Sequence, residues 1–168
     1  EGADFDRYVE YMRGQIRELM SNYGEICALW FDGGWEKKSP EDLEKFRSII
    51  DMARDLQPRM LVNNRANTGG DYETPEQYIP ATGVMDAQGK PAMWEVCLTM
   101  TTGHGSFAPT AWWGYDRSET MFKPADELIQ KLVDITSKGG NFLLNVGPTE
   151  LGEIRKEEAE RLKAVGRW

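Results

Sequence analysis

The chain has 168 residues, enough for one domain with a substantial core. It carries 28 acidic and 20 basic residues, and the resulting net charge of −8 argues against a nucleic acid or an anionic membrane as the partner, since both favour a basic surface. No apolar run approaches the roughly 20 residues that span a bilayer. Aromatic residues make up 11% of the chain and include 6 Trp, a content that fits sugar stacking and also fits an ordinary aromatic core.

Helices and short apolar strands alternate along the chain. Apolar side chains at helical spacing predict four helices, which cover residues 5–22, begin at Ser39-Pro40, begin at Pro124, and cover residues 153–167. Apolar runs predict four buried strands, at residues 26–31, 60–63, 93–100 and 141–146. Strands that are apolar throughout are typical of a parallel sheet covered by helices, so the sequence predicts an α/β fold.

Two cysteines and two long irregular stretches lie within this pattern. Cys27 and Cys97 both fall inside apolar runs, which predicts two buried free thiols. Residues 66–92 and 101–115 have the composition of loops. Because loops of this length in a compact domain are usually functional, we expect them to contribute to a binding or catalytic site.

The first apolar run ends at Asp32, between Trp30 and Trp35. Gly33 and Gly34 follow the carboxylate, and they allow backbone angles that other residues avoid or a close approach by a ligand. Flat aromatic faces beside a carboxylate favour a sugar site. The simpler interpretation is a strand-ending turn in which Asp32 caps the local backbone.

Polar residues gather just after the predicted strand ends. Asp32 follows the first strand, and Arg65 follows the second, where it is placed to bind sugar hydroxyls or to hold Asp32 ionised. In a (β/α)₈ barrel, the carboxyl ends of the strands build the active site. Because such a barrel takes about 250 residues, we expect residues 1–168 to be one partial catalytic domain, the C-terminal half of a TIM-like barrel.

Carboxylates are the main candidates for chemistry. The sequence lacks the usual motifs of dinucleotide, phosphate, zinc-protease and serine-hydrolase sites, and its single histidine, His104, is interpreted as a loop residue without a catalytic role. Hydrolysis of a glycosidic bond needs two carboxyl groups, one at the anomeric carbon and one that protonates the leaving oxygen. Asp32 suits the first task, and Glu73, Glu76 or Glu95 suits the second.

Five sequence blocks, in order, resemble those of the α-L-fucosidases of glycoside hydrolase family 29 and cover nearly the whole chain. They are Leu29-Trp-Phe-Asp-Gly-Gly-Trp35, Val62-Asn-Asn-Arg65, Trp94-Glu-Val-Cys97 with Met100, Trp113-Gly-Tyr115, and Leu132 to Pro148 with its Ser137-Lys-Gly-Gly-Asn141 centre. The resemblance implies a retaining exo-hydrolase that acts on terminal α-linked L-fucose. It also implies that no metal or organic cofactor takes part.

The same resemblance implies roles for individual residues. Asp32 matches the family's nucleophile, which forms a covalent fucosyl-enzyme. Arg65 and Trp30 match positions that bind the fucose ring, and Trp113 matches an aromatic residue that packs against the methyl side of the sugar. The implied partner is a fucosylated oligosaccharide or glycoconjugate, and the implied compartment is secreted, periplasmic or lysosomal.

The acid/base is implied less directly, because the family places it in a variable loop. Glu76, within residues 74–80, matches the carboxylate of that loop, and Glu73 is a close competitor. Glu95 fits better as a structural acid or one that supports the site. A retaining mechanism predicts that the two catalytic carboxyl groups lie roughly 5 to 5.5 Å apart.

Two departures from the family are visible, and three alternatives stay open. The stretch of residues 101–111 is longer than the resemblance leads us to expect. The resemblance also implies that the family's first barrel strands, with the histidines that hold fucose hydroxyls, are not among residues 1–168. Strand edges left exposed in this way predict self-association. The alternatives are another retaining glycosidase on a similar barrel, a non-catalytic carbohydrate-binding fragment, and a purely structural fragment.

Overall fold

The computed structural model describes residues 4–33, 39–102 and 113–168. Within these ranges, helices and strands alternate in the order α1 (Phe5–Asn22), β1 (Ala28–Leu29), α2 (Pro40–Leu56), β2 (Leu61–Val62), β3 (Trp94–Thr99), α3 (Ala125–Ser137), β4 (Gly140–Asn145) and α4 (Lys156–Arg167), with a 3-10 turn (Asn64–Ala66) after β2. The chain forms two compact units, one up to Glu73 and one from Thr74 onwards. None of the helices in the described ranges combines the length and the apolar composition that a membrane crossing needs.

The helices of the first unit begin where the sequence predicts. The Asp4 side chain caps α1 by accepting a hydrogen bond from the backbone N–H of Arg7 at 3.1 Å. At α2, Ser39 and Asp42 form a capping box, in which each side chain accepts a hydrogen bond from the other residue's backbone N–H. Pro40 occupies the first turn, where its missing N–H costs no helical hydrogen bond. Both predicted helices are confirmed.

The first unit has its core where α1 and α2 pack over β2. The side chains of Ile49, Ala53 and Val62 are fully buried at the centre of this cluster. Partly buried apolar side chains of the first apolar run, including Leu29 and Phe31, pack against the same cluster. This packing places the residues that follow β1 and β2 at one edge of the unit.

The strands pair in parallel, as predicted. β1 pairs with β2 through Ala28 opposite Leu61, and β3 pairs with β4 from Trp94 opposite Gly140 to Thr99 opposite Asn145. The described ranges therefore contain two separate two-stranded parallel sheets and no closed barrel. A barrel closes only when its last strand pairs with its first, and each of these sheets contains a single strand pair.

Three predictions about the strands need correction. β1 has two residues and not the six of the apolar run, and the Cys27 side chain before it is exposed, whereas Cys97 is buried. β4 is only half-buried, with Leu143 42% exposed. β1 is short because it pairs with β2 at two positions only. Cys27 and Leu143 are exposed because an apolar side chain is fully buried only where another layer covers it, and the described residues cover these two side chains incompletely.

The second unit is built around Trp94. Its indole, Val96 and Leu98 from β3 form a buried cluster with Ile135 of α3. Gly140 lies against this indole, so closely that a Cβ there would be 2.4 Å from the ring. The β3–β4 pair, with α3 packed on it, contains this buried cluster.

Candidate functional site

Asp32 and Arg65 contact each other in the first unit, after the ends of β1 and β2. The Arg65 guanidinium donates a hydrogen bond from Nη1 to Asp32 Oδ1 at 3.1 Å. The Arg65 side chain is only 17% exposed, whereas that of Asp32 is 57% exposed. A largely buried cation thus orients a carboxylate that a ligand from solvent can reach.

Trp30 completes this group. The Arg65 guanidinium carbon lies 4.5 Å from the centre of the Trp30 ring, a cation–π distance. Arg65 is therefore held on one side by an aromatic face and on another by the Asp32 carboxylate. Trp30, Asp32 and Arg65 therefore lie together in this unit. They are the residues of the unit that are expected to recognise fucose and to attack it.

Asn63 is a positioning residue that the sequence analysis missed. Its side chain is fully buried, and its amide accepts a hydrogen bond from the Phe31 N–H at 2.9 Å and donates one to the Phe31 carbonyl at 2.8 Å. This reciprocal pair joins the end of β2 to the segment after β1 and fixes the backbone directly before Asp32. The available signal was a polar residue at the end of an apolar run, two residues before Arg65.

The segment after the 3-10 turn packs tightly against Asn63. A Cβ at Gly70 would lie 2.5 Å from the Asn63 carbonyl carbon and 2.7 Å from the Asn64 nitrogen, closer than side chains tolerate. Only glycine fits this close backbone contact. Gly70 therefore helps to hold the peptide that precedes Arg65.

Asp71 connects this segment to both β2 and α2. Its carboxylate accepts a hydrogen bond from the Val62 N–H at 2.7 Å and is bound by Arg54 of α2 at 3.0 and 3.1 Å. Two residues later, the exposed Glu73 carboxylate accepts a hydrogen bond from the Asn64 side chain. Glu73 thus lies beside the turn that carries Arg65.

Glu76 belongs to the second unit and lies beside β3. The Cys97 N–H donates to the Pro75 carbonyl at 3.1 Å, and the Gln77 N–H donates to the Cys97 carbonyl at 3.0 Å. These two bonds flank Glu76 and form an isolated parallel bridge between Glu76 and Cys97. The Glu76 side chain is exposed at the surface of this segment.

Glu95 and Asn141 contact each other across β3 and β4. They lie opposite each other in the parallel register, and the Asn141 amide donates a hydrogen bond to the Glu95 carboxylate. This cross-strand contact is consistent with the structural role expected for Glu95. The sequence analysis did not assign a function to Asn141.

Trp113 belongs to the second unit, precedes α3 in the chain, and is 37% exposed. The adjoining Gly114–Tyr115 peptide lies on Gly147, at which a Cβ would be 2.8 Å from the Gly114 carbonyl oxygen. The residue after Trp113 is thus packed against the segment that follows β4. His104, together with Trp35 and most of the stretch 101–111, lies outside the described residues.

The structure thus brings together Trp30, Asp32 and Arg65. Glu76 and Trp113 lie in the other unit, and the separation between the Asp32 and Glu76 carboxyl groups stays a prediction. Within residues 4–33, 39–102 and 113–168, no group of three or more His, Cys, Asp and Glu side chains is arranged to hold a metal ion.

Comparison with known proteins gives one consistent result. The family model described as alpha-L-fucosidase matches residues 1–168. Mouse tissue alpha-L-fucosidase is 34% identical over 165 positions, which cover 92% of this chain and 33% of the mouse protein.

Comparison with solved structures also finds α-L-fucosidases. Alpha-L-fucosidase isoenzyme 1 from Paenibacillus thiaminolyticus matches with a TM-score of 0.88 and 37% identity, covering 100% of this chain and 40% of that one. A GH29 alpha-L-fucosidase from Bacteroides thetaiotaomicron, trapped as a covalent intermediate with 2-fluoro-fucosyl fluoride, matches with a TM-score of 0.80 and 26% identity, covering 98% of this chain and 39% of that one. The chain spans about a third of the length of the mouse relative. It belongs to the α-L-fucosidases of glycoside hydrolase family 29.

Proposed function

We propose that this chain contributes the nucleophile and the acid/base to a retaining α-L-fucosidase that releases terminal α-linked L-fucose from a fucosylated glycan. The observation that carries the proposal is the contact of Asp32 with Arg65, which itself lies over Trp30. An exposed carboxylate oriented by a guanidinium beside an aromatic face suits attack on a sugar. The covalent intermediate trapped in the Bacteroides relative supports double displacement.

The reaction proceeds in two steps. Asp32 attacks the anomeric carbon and forms an ester bond to fucose, while the glycosidic bond breaks and the leaving oxygen takes a proton from Glu76. Glu76, now a carboxylate, removes a proton from water, whose oxygen attacks the anomeric carbon and releases Asp32. Arg65 and Trp30 bind the ring of the sugar, and Trp113 packs against its methyl side.

The proposed architecture is the C-terminal half of a (β/α)₈ barrel, formed by residues 1–168 as one partial catalytic domain. The alternation of helices with parallel strands supports it, and so does the likeness to longer fucosidase chains. The proposed acid/base is Glu76, the carboxylate that the family resemblance matches, and the backbone bonds of Pro75 and Gln77 to Cys97 hold its segment beside β3. Glu73, whose carboxylate accepts a hydrogen bond from Asn64, is the alternative.

Release of an aryl group from a panel of glycosides tests the activity. The α-L-fucoside is assayed beside β-galactoside, β-glucoside and α-mannoside, with Asp32→Ala as the variant and Asp51→Ala, an exposed position on α2, as the matched control. We expect release from the fucoside alone, lost in Asp32→Ala and kept in Asp51→Ala.

Other outcomes decide between the alternatives. Release from a different sugar alone would contradict the substrate assignment and favour another retaining glycosidase. Fucose binding without turnover, unchanged by Asp32→Asn, would favour a carbohydrate-binding fragment. Glu76→Ala and Glu73→Ala, each assayed with added azide, separate the two acid/base candidates. Azide is an anionic nucleophile that needs no general base, so it attacks the anomeric carbon in place of water, releases Asp32 and forms fucosyl azide. We expect it to restore turnover only in the variant that lacks the true acid/base.

A further inference from the structure

We infer that Gln77 is the positioning residue that holds Glu76 in place for both proton transfers. The inference rests on the proposed function and adds to it a residue that does not touch the substrate. It follows from three features of Gln77: its backbone conformation, its backbone hydrogen bond and its side-chain contacts, all within the second unit.

The backbone of Gln77 has an unusual conformation. Its φ is +59°, in the left-handed region that residues other than glycine seldom adopt. Such a conformation persists where surrounding contacts hold it, and it is concentrated at functional sites. Here it turns the chain directly after Glu76. The Gln77 N–H still reaches the Cys97 carbonyl at 3.0 Å, so the turn begins while the chain is bound to β3.

The side chain of Gln77 then contacts β3 at a second point. Its Nε2 donates to Thr99 Oγ1 at 3.1 Å, and its Oε1 accepts from the Thr99 N–H at 3.3 Å. Thr99 is 1% exposed, and its hydroxyl donates in turn to the Thr101 carbonyl at 3.0 Å. The donor and the acceptor of the Gln77 side-chain amide thus both bind Thr99, a buried residue of β3.

The segment that carries Glu76 is attached to β3 at two points, Cys97 and Thr99, and two attachments restrict its movement more than a single one would. The two backbone hydrogen bonds to Cys97 fix the distance between the Glu76 peptide and β3. The Gln77–Thr99 contact then prevents the segment from rotating about these two hydrogen bonds. An acid/base must reach the leaving oxygen in one step and a water molecule in the next, so small displacements reduce the rate. We therefore assign to Gln77 the orientation of Glu76.

The kinetic test uses fucosides with good and poor leaving groups. Acid assistance matters most when the leaving oxygen is strongly basic, so Gln77→Ala is expected to lower kcat/KM about 10- to 100-fold for a poor leaving group. For an activated aryl fucoside the loss is expected to be small, about 2-fold or less. Gln88→Ala, in the same loop region and with an exposed side chain, is the matched control and is expected to leave both values unchanged.

A second variant separates the effect of the Gln77 backbone conformation from the effect of its side chain. Gln77→Gly accepts a positive φ without strain but lacks the amide, so the inference predicts the same loss as in Gln77→Ala. Thr99→Val removes the hydroxyl that accepts from Gln77. The loss of kcat/KM in the Gln77→Ala, Thr99→Val double variant should be smaller than the sum of the losses in the two single variants, because both substitutions break the same contact. Full activity in Gln77→Gly, or an equal loss with both leaving groups, would overturn the inference.

Amide hydrogen exchange at Gln77 gives a readout that does not depend on turnover. Loss of the side-chain contact in Gln77→Ala is expected to speed exchange of this amide about 10-fold or more relative to Gln88→Ala. Unchanged exchange would overturn the inference. If the wild-type chain releases no fucose, the proposed function fails while the exchange experiment still decides whether the Gln77 side chain holds the Glu76 segment.

Discussion

Arg65 makes two different contacts with a single guanidinium, and together they define the chemistry of the first unit. The group donates to Asp32 through Nη1, and its Cζ lies over the Trp30 ring at 4.5 Å from the ring centre. Lysine has the same charge but neither the planar fork nor the stacking face. The geometry therefore explains why arginine occupies a position next to the proposed nucleophile.

Replacement of Arg65 by lysine tests this residue-level interpretation. Arg65→Lys keeps the charge and loses the oriented contact with Asp32, so kcat/KM for the α-L-fucoside is expected to fall about 10- to 100-fold, the range for loss of a charged hydrogen bond. The control is Arg59→Lys, whose side chain is 84% exposed and pairs with Glu25. Equal kcat/KM for the wild type and Arg65→Lys would contradict the proposed role.

Asn63 acts on the same carboxylate through the backbone. Asn63→Asp keeps an acceptor for the Phe31 N–H but places a buried negative charge against the Phe31 carbonyl. We expect a loss of about 3 kcal/mol in the free energy of unfolding, measured by urea denaturation. Asn22→Asp, at the exposed end of α1, should change stability by only about 0.5 kcal/mol. Similar urea midpoints for the two variants would disprove this account.

At the scale of elements, the end of β3 is held by a lysine from a neighbouring segment. Lys123 Nζ donates to the Thr99 and Thr101 carbonyls, each at 2.6 Å. The Thr99 carbonyl ends β3, the strand that carries the Gln77–Thr99 contact, and the Thr101 carbonyl lies in the segment that follows it. One cation therefore binds both the strand end and the start of the following segment. Burial lowers the pKa of Lys123 from its ordinary value of 10.5, and the charge of Glu127 partly opposes this.

The lowered pKa predicts how stability depends on pH. Between the folded-state pKa and 10.5, the unfolded chain binds more protons at this lysine than the folded protein, so stability from this group rises with pH across that window. The difference in unfolding free energy between the wild type and Lys123→Met should therefore grow in favour of the wild type as the pH rises from the folded-state pKa towards 10.5. Urea denaturation at several pH values measures it, with the exposed Lys90→Met as the control. A constant difference would refute the assignment.

For the whole molecule, the main feature is apolar surface on the second unit. Leu143 on β4 is 42% exposed and Val133 on α3 is 48% exposed. Exposed apolar side chains on short strand pairs favour association with other chains. This exposure is consistent with the predicted self-association.

Sedimentation velocity over a range of concentrations measures that association. We expect the sedimentation coefficient of the chain to rise with concentration, and Leu143→Lys to reduce the rise because a charge would cover the exposed face of β4. Leu151→Lys, in the loop after β4 where the side chain is 80% exposed, is the control for added charge alone. A single monomeric species at every concentration would contradict the prediction.

Features that depend on neighbouring residues were predicted from the sequence. The bounds of α1, the start of α2 at Ser39-Pro40 and the alternation of helices with parallel strands follow from side-chain spacing and caps within a few residues. The same holds for Asp32 and Arg65, because the ends of adjacent parallel strands meet at one edge of a sheet and so bring both side chains together.

Other features depended on which distant segments lie side by side. The Asn63–Phe31 and Gln77–Thr99 contacts join residues far apart in the chain, and no local pattern specifies either pair. Cys27 is exposed and Cys97 buried although both lie in apolar runs, because burial requires a second layer over the strand. The sequence by itself determined the elements and the types of residue at their ends. Tertiary packing decided which of those residues are held in place, because hydrogen bonding and burial depend on partners that folding brings together.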